Sequence, residues 1–309
     1  MTNLITGAFS FSGRYITNEL LNLGEPVETL TGHPDKNSPY YDKIKIMKYS
    51  FDNFDQMVEN FRGVDTFYNS YWIRFPYKTM TWRQAVINCN LLFQACKKAG
   101  VKKIVHISVT NNSLDSPYSY FKGKAVVEEL LKRSGVPYTI LRIAWFFEDN
   151  DILCNNIAWI LRRFPIFGLF YDGKFKLQPV SAKTLARVAV ESRYLGPETI
   201  NNNKIINVIG PETFTWQEFI SEINNALGLK SIFFPFPGYY IYIPLIVSSI
   251  LGYFLHDRLL TFEEVNSLRD NLCLTDSPPI GTIKFSEWLK TNKTKLGKKW
   301  NGEIPRHYY

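Results

Sequence analysis

The stretch Leu4-Ile5-Thr6-Gly7-Ala8-Phe9-Ser10-Phe11-Ser12-Gly13-Arg14 decides the fold. Residues 4–8 form an apolar run that reads as a short buried strand entering a turn. Residues 12–24 then carry Ile16, Leu20, Leu21 and Leu23 at helical spacing. A strand that passes through a tight glycine turn into a helix aims the first N–H groups of that helix at one point. The helix dipole makes that point favourable for an anion. Against the spacing GxxGxxG, Gly7 and Gly13 occupy the first and third positions, and Ser10 replaces the middle glycine. Gly7 permits the turn, Gly13 lets the helix lie close to the strand, and Ser10 sets a small side chain beside the phosphates. A second strand at Val27–Thr31 completes the context of a dinucleotide pyrophosphate loop. Its candidate contacts are Gly7, Phe9, Ser10, Phe11, Gly13 and Arg14. A tight βα turn without a ligand is the simpler alternative, and the second strand weighs against it.

Outward from that loop the alternation continues. Strand patterns occur at Ile44–Lys48, Val64–Tyr71, Val101–Val109 and Val136–Ile143. Helical patterns occur at Phe54–Phe61, Trp82–Ala99 and Tyr120–Ser134, and Gly100 and Gly135 stand where the last two should end. Six strands alternating with helices predict an α/β fold, a doubly wound parallel sheet of the Rossmann type. After residue 145 the alternation weakens. Helical and loop segments run to Lys176, a strand and helix occupy Leu177–Ser192, and a strand reads at Lys204–Ile209. The rest reads as helical with proline-rich joints. This predicts a nucleotide domain of residues 1–145 plus 177–210, and a smaller, mainly helical substrate domain of residues 146–176 plus 211–309.

The second strand ends Thr29-Leu30-Thr31-Gly32-His33. An NAD(H) site usually places Asp or Glu here for the ribose 2′-hydroxyl. None is present, the loop is neutral or weakly basic, and Arg14 is near. Thr31 and His33 therefore become candidate contacts, and NADP(H) is favoured over NAD(H), which stays possible. His33 as an ordinary surface histidine is an equal alternative. The fourth strand ends Tyr68-Asn69-Ser70-Tyr71-Trp72, at the carboxyl edge of the sheet where ligands bind. Asn69 and Tyr71 are candidate cofactor or substrate contacts. Asn88, polar within an apolar helical pattern, reads either as a ligand contact or as a satisfied buried amide.

Composition bounds the rest. Hydrophobic residues at 45% and charged residues at 21% describe a chain able to bury a core. The net charge of +8 favours anionic partners, among them phosphorylated cofactors and anionic lipid. No aromatic-basic recognition pattern points to nucleic acid. Lys290, Lys293, Lys295, Lys298, Lys299 and Arg306 concentrate charge near the C-terminus, as a solvated tail or as a lipid-facing patch. Cys89, Cys96, Cys154 and Cys273 lack metal-ligand spacing and read as reduced core thiols. With no secretory pattern at the N-terminus, a cytoplasmic protein is expected, possible membrane association included. Residues 232–255 carry no charge, but Pro235, Pro237 and Pro244 leave too short a helix to span a bilayer. They read as a core helix or substrate lid, with a peripheral membrane contact as the alternative. Oligomeric state is open.

Several segments in this order resemble the short-chain dehydrogenase/reductase superfamily. They are the Thr6–Gly13 loop, Val101–Val109, Tyr120–Ala144, Asp151–Arg163, Leu177–Val190 and Ile206–Phe219. The resemblance covers most of the chain. It is nearest to the extended and atypical branch, with the NmrA-like proteins and the Rossmann-type accessory subunit of respiratory complex I. It implies a Tyr-x-x-x-Lys pair, matched by Tyr120 and Lys124. Positions i and i+4 share a helix face, so both side chains reach one site. In that family's scheme the lysine bonds the nicotinamide ribose and lowers the tyrosine pKa, and the tyrosine protonates the substrate as hydride arrives. Tyr118 and Lys122 have the same spacing. The family pattern K-x-x-V-E, met by Lys124 to Glu128, selects Lys124. Ser108 is a candidate catalytic serine but lies only twelve residues before Tyr120, closer than in the family. Family members also place Asp near Ser50 to bind adenine, and here the carboxylate is displaced to Asp52 or missing.

Two functions follow as expectations. One is an NADPH-dependent reductase acting on a carbonyl or activated double bond of a small apolar substrate. The other is a non-catalytic NADP(H)-binding scaffold or redox sensor. For Tyr120, a proton donor and a packing aromatic at a helix start are equal readings.

Overall fold

The computed structural model describes residues 1–194, 203–236, 238–258 and 260–304. Pro237 and Arg306 lie outside the described residues. The chain divides into two units, residues 1–143 with 182–208, and residues 144–181 with 209–309.

The first unit is built on seven strands. They are β1 (Asn3–Thr6), β2 (Val27–Leu30), β3 (Lys45–Met47), β4 (Thr66–Asn69), β5 (Lys103–Val109), β6 (Tyr138–Ile143) and β11 (Lys204–Val208). All pair in parallel, in the order β11-β6-β5-β4-β1-β2-β3. The helices are α1 (Phe11–Asn22), α2 (Phe54–Asn60), α3 (Trp82–Ala99), α4 (Ser119–Ser134) and α6 (Ala182–Glu191). β1, β4 and β5 are buried along their whole length, as strands covered on both faces must be. One core joins Leu4, Phe67 and Ile104 of the sheet to Met57 and Phe61, Leu92 and Phe93, and Val127 and Leu131 of α2, α3 and α4. α1 packs on α6. The order of strands reverses at β1, so the crevice between β1 and β4 opens at their carboxyl ends.

Sequence-readable caps set the helix ends. Ser10, Asn53 and Thr81 each accept a hydrogen bond from a first-turn N–H. Gly100 and Gly135 take the left-handed conformation that closes α3 and α4. The predicted bounds of α3 coincide with the structure.

The second unit holds three two-stranded ribbons. β7 (Trp145–Phe147) runs parallel to β10 (Pro179–Ser181), and β9 (Lys176–Leu177) antiparallel to β12 (Phe214–Thr215). β8 (Ile166–Phe170) runs parallel to β13 (Ile232–Phe236). Its helices are α5 (Ile152–Leu161), α7 (Trp216–Ala226), α8 (Tyr242–Phe254), α9 (Phe262–Arg269) and α10 (Phe285–Asn292). Stacked aromatics fill its centre, with Phe219 and Phe285 4.6 Å apart. β8 and β13 correct the expectation of helix and loop there. Pro235 lacks an N–H and is tolerated because β13 pairs on one side only. Pro244 lies within the first turn of α8, where backbone N–H groups have no intrahelical partner.

Candidate cofactor site

The loop between β1 and α1 is fixed by its glycines. Gly7 has φ +64°, a conformation that L side chains rarely adopt. A Cβ on Gly13 would lie 2.0 Å from the Gly7 carbonyl oxygen, so only glycine lets α1 start this close to β1. Gly7 N donates to Leu30 O at 2.8 Å, which ties the turn to β2. Thr29 Oγ1 donates to Ile5 O at 2.9 Å and accepts from Ala8 N at 3.0 Å. Ser10 Oγ accepts from Gly13 N at 3.2 Å. The serine in place of the middle glycine is thus the N-cap of α1. One first-turn N–H is held by Ser10, and α1 retains the anion-attracting end of its dipole.

Aromatic rings flank the loop. Phe9 stacks on Tyr40 with centroids 5.6 Å apart, and Tyr40 donates its hydroxyl to Ala8 O at 2.9 Å. Arg14 Nε donates to Ser10 O at 3.4 Å. At the end of β2, Thr31 is buried and its Oγ1 accepts from His33 N at 3.1 Å, while His33 is exposed. Along the same sheet edge, Tyr49, Phe51 and Tyr71 form one aromatic group.

The end of β4 divides. Asn69 is fully buried and turned into the sheet interior. Its Nδ2 lies 3.1 Å from His106 Nδ1, and its Oδ1 accepts from Tyr71 N and from Thr6 Oγ1. Burial, with the nearby Lys124, pushes the His106 imidazole down to about 3, so this ring stays neutral. Ser70 Oγ donates to Thr6 O at 2.6 Å and clamps β4 to β1 at the crevice. Tyr71 is half-buried, and its hydroxyl accepts from Asn88 Nδ2 at 2.7 Å. Asn88 also accepts from Gln84 Nε2, which makes it a satisfied buried amide.

On α4 the alternative registers separate by burial. Lys124 is buried and Lys122 exposed. Lys124 Nζ donates to Ile107 O at 2.8 Å and sits over the Trp72 ring, 4.8 Å from its centroid. Burial pushes the Lys124 amine down to about 8. Tyr120 is half-buried one turn away, edge-on to Trp72 with centroids 6.1 Å apart. A Cβ on Gly123 would come within 2.9 Å of the Trp72 ring, so this glycine seats the indole against α4. Trp72 Nε1 is enclosed without a hydrogen-bond partner among the described residues.

Ser108 is placed elsewhere. Its hydroxyl donates to Glu128 Oε1 at 2.6 Å. Arg142 binds both Glu128 oxygens, at 3.0 and 2.6 Å, and Asn112 Nδ2 donates to Glu128 Oε1 and to Ser108 Oγ. Burial raises the Glu128 carboxyl, but the hydrogen bonds from Arg142, Ser108 and Asn112 outweigh it and hold the group below its usual range. Ser108 therefore belongs to a buried ion-pair network, its proton given to Glu128. Trp72, Tyr40 and the Asn112–Glu128–Arg142 network are what sequence reading missed. The available signals were Glu128, a charge one turn from Lys124 on the buried face of α4, and Arg142 inside an apolar strand.

These residues fit a dinucleotide. The strand-turn-helix, the glycine contact and the buried lysine of α4 lie along the carboxyl edge of one parallel sheet. Residues 7–191 match the family described as NAD(P)H-binding, and the chain belongs to that family. The resemblance to the short-chain dehydrogenase/reductase superfamily drawn from its motifs holds. A curated relative is the mitochondrial NADH dehydrogenase [ubiquinone] 1 alpha subcomplex subunit 9 of Dictyostelium discoideum. It is 25% identical over 245 residues, covering 74% of this chain and 64% of its own length. The chain spans 55% to 64% of the lengths of three such mitochondrial relatives. The NADP(H) complex of the Citrobacter triphenylmethane reductase has the same fold, with TM-score 0.75, 16% identity and coverage of 95% and 100%. So does an Escherichia coli NADPH-dependent quinone oxidoreductase, with TM-score 0.70, 17% identity and coverage of 94% and 99%.

Proposed function

We propose that the protein binds NADPH and reduces an activated double bond of a small apolar acceptor. The observation that carries this reading is Lys124, a buried amine on the same helix face as Tyr120 and beside the sheet edge that bears the glycine loop. The preference for NADPH rests on Thr31-Gly32-His33, which bring no carboxylate to the end of β2, and on Arg14 at the loop, where a 2′-phosphate would meet positive charge.

The bound dinucleotide supplies hydride from its nicotinamide ring. The Gly7–Gly13 loop and the start of α1 would hold its pyrophosphate. Lys124 would offer N–H donors to the nicotinamide ribose, and Tyr120 would give a proton to the acceptor atom that gains electron density. An isolated carbonyl gains from a second donor at its oxygen, and the Ser108 hydroxyl is committed to Glu128. An electron-poor conjugated acceptor makes no such demand. The names of the triphenylmethane reductase and the quinone oxidoreductase accord with that acceptor class.

A second reading is a non-catalytic NADP(H)-binding subunit. The Trp72 ring over Lys124 favours it, as do relatives that are themselves subunits of NADH dehydrogenase. Fluorescence titration with NADPH and NADH, followed by turnover assays with quinone and dye acceptors, separates the two. The first reading expects tighter NADPH binding, and a Tyr120→Phe variant that keeps this affinity while turnover falls by roughly a hundredfold. Binding without turnover of any acceptor assigns the second. Failure to bind either nucleotide sinks both.

A further inference from the structure

α8 presents an apolar face that the second unit leaves uncovered. Tyr242, Ile243, Ile246, Val247, Ile250 and Tyr253 are each between 46% and 78% exposed. Their spacing follows the helical repeat, so they form one continuous stripe. The opposite side of α8 is seated on the unit through Leu245, which packs on its core, and through the buried Gly252. At one end the stripe continues onto α9, where Phe262 stacks on Tyr242 with centroids 5.9 Å apart. Exposed apolar patches of this kind mark contact surfaces.

Three observations select a lipid surface as the occupant. First, apart from the hydroxyls of Tyr242 and Tyr253 near its ends, the stripe carries no polar side chain. No charged residue occurs between Lys230 and Asp257. The Ser249 hydroxyl, on the exposed side, donates to Leu245 O at 2.8 Å and is satisfied within the helix. Protein interfaces carry a hydrogen-bonded polar rim, whereas acyl chains require that polar groups be satisfied internally. Second, Tyr242 and Tyr253 stand near the two ends of the stripe, side chains suited to the headgroup boundary. Third, positive charge gathers at its end. Arg258 is exposed and lies four residues beyond the end of α8. The Asp257 carboxylate accepts from Trp300 Nε1, Glu303 N and Ile304 N, at 3.0, 3.1 and 3.1 Å. These bonds fasten the C-terminal segment to the turn after α8, and the exposed Lys298 and Lys299 immediately precede Trp300 in that segment.

We propose that α8 is a membrane-docking face that seats the protein on an anionic lipid surface. Its 13 residues extend for about 20 Å, too short to cross the hydrocarbon core, and no described helix is long and apolar enough to do so. α8 therefore lies along the headgroup boundary with the Ile246–Ile250 side in the acyl region and the lysines facing lipid headgroups.

The test is flotation of the full chain with vesicles of phosphatidylcholine, or of phosphatidylcholine mixed with phosphatidylserine. The wild type is expected to float with the mixed vesicles, less well in high salt. A double variant, Ile246→Glu with Ile250→Glu, is expected to lose roughly tenfold or more of that binding. Lys298→Ala with Lys299→Ala is expected to lose about fivefold or more and much of the salt dependence. Circular dichroism and sedimentation serve as fold controls, since all four side chains are exposed. Wild-type protein that stays with the unbound fraction overturns the proposal, as does flotation that survives the glutamate pair. A wild-type dimer that the glutamate pair converts to monomer, with no flotation, assigns the face to a second copy and overturns it as well.

Discussion

Lys124 shows how one residue sets function against stability. Its amine is buried between the Ile107 carbonyl and the Trp72 ring, and burial lowers it from 10.5 to about 8. A lowered lysine binds its proton less well in the folded chain than in the unfolded one. Stability therefore rises as pH increases from about 8 through 10.5, and is reduced by the full cost of the charge below that window. Lys124→Met should raise stability at pH 7 by on the order of 2–3 kcal/mol. The gain should fade toward pH 10.5, as urea midpoints measured across that range would show. The same variant should weaken NADPH binding. A stability gain that is independent of pH would mean that the amine is not the strained group. Gly13 is the opposite kind of residue, since its effect is steric and pH-independent. The contact with the Gly7 carbonyl that fixes it is the reason the glycine spacing was informative.

At the scale of elements, α4 is tied to the sheet by charge as well as by packing. Glu128 is almost wholly buried, and it joins α4 to β5 through Ser108 and to β6 through Arg142. Its folded carboxyl lies below the unfolded value. The stabilisation is thus complete above the unfolded value and is lost as pH falls through the folded one. Glu128→Gln should cost about 3 kcal/mol near neutrality, because Arg142 keeps its charge without a counterion. It should also flatten the acid limb of a thermal stability curve, and an unchanged limb would remove Glu128 from the account. This tie also explains what was legible in the sequence. The strand-turn-helix at Gly7–Gly13, α3 and the burial of Lys124 in place of Lys122 rest on local spacing, and local spacing is visible in a single chain. Ser108 was read from its position at a strand end. Its real partner comes from α4, and Arg142 from β6 completes it, pairings that no local pattern encodes. β13 was hidden for another reason. Two prolines in and beside an aromatic run read as breaks, and only the one-sided pairing with β8 makes Pro235 acceptable.

At the scale of the whole molecule, the parallel sheet is discontinuous in sequence. β11 pairs with β6 in register from Lys204↔Thr139 to Val208↔Ile143, after the chain has passed through residues 144–181 of the other unit. α6, the packing partner of α1, is also part of this return. Cutting the chain after Ser181 should therefore remove an edge strand and uncover one side of α1 in a single step. Such a fragment is expected to keep far-ultraviolet helix signal and lose near-ultraviolet tertiary signal. Native tertiary signal in the fragment would show that the return is dispensable. Late closure of the sheet has a consequence during synthesis. The glycine loop and α1 leave the ribosome well before α6, which follows them by some 160 positions. For that interval the nascent chain exposes the α1 face and an unpaired β6 edge, which is when a holding chaperone would be most useful to it.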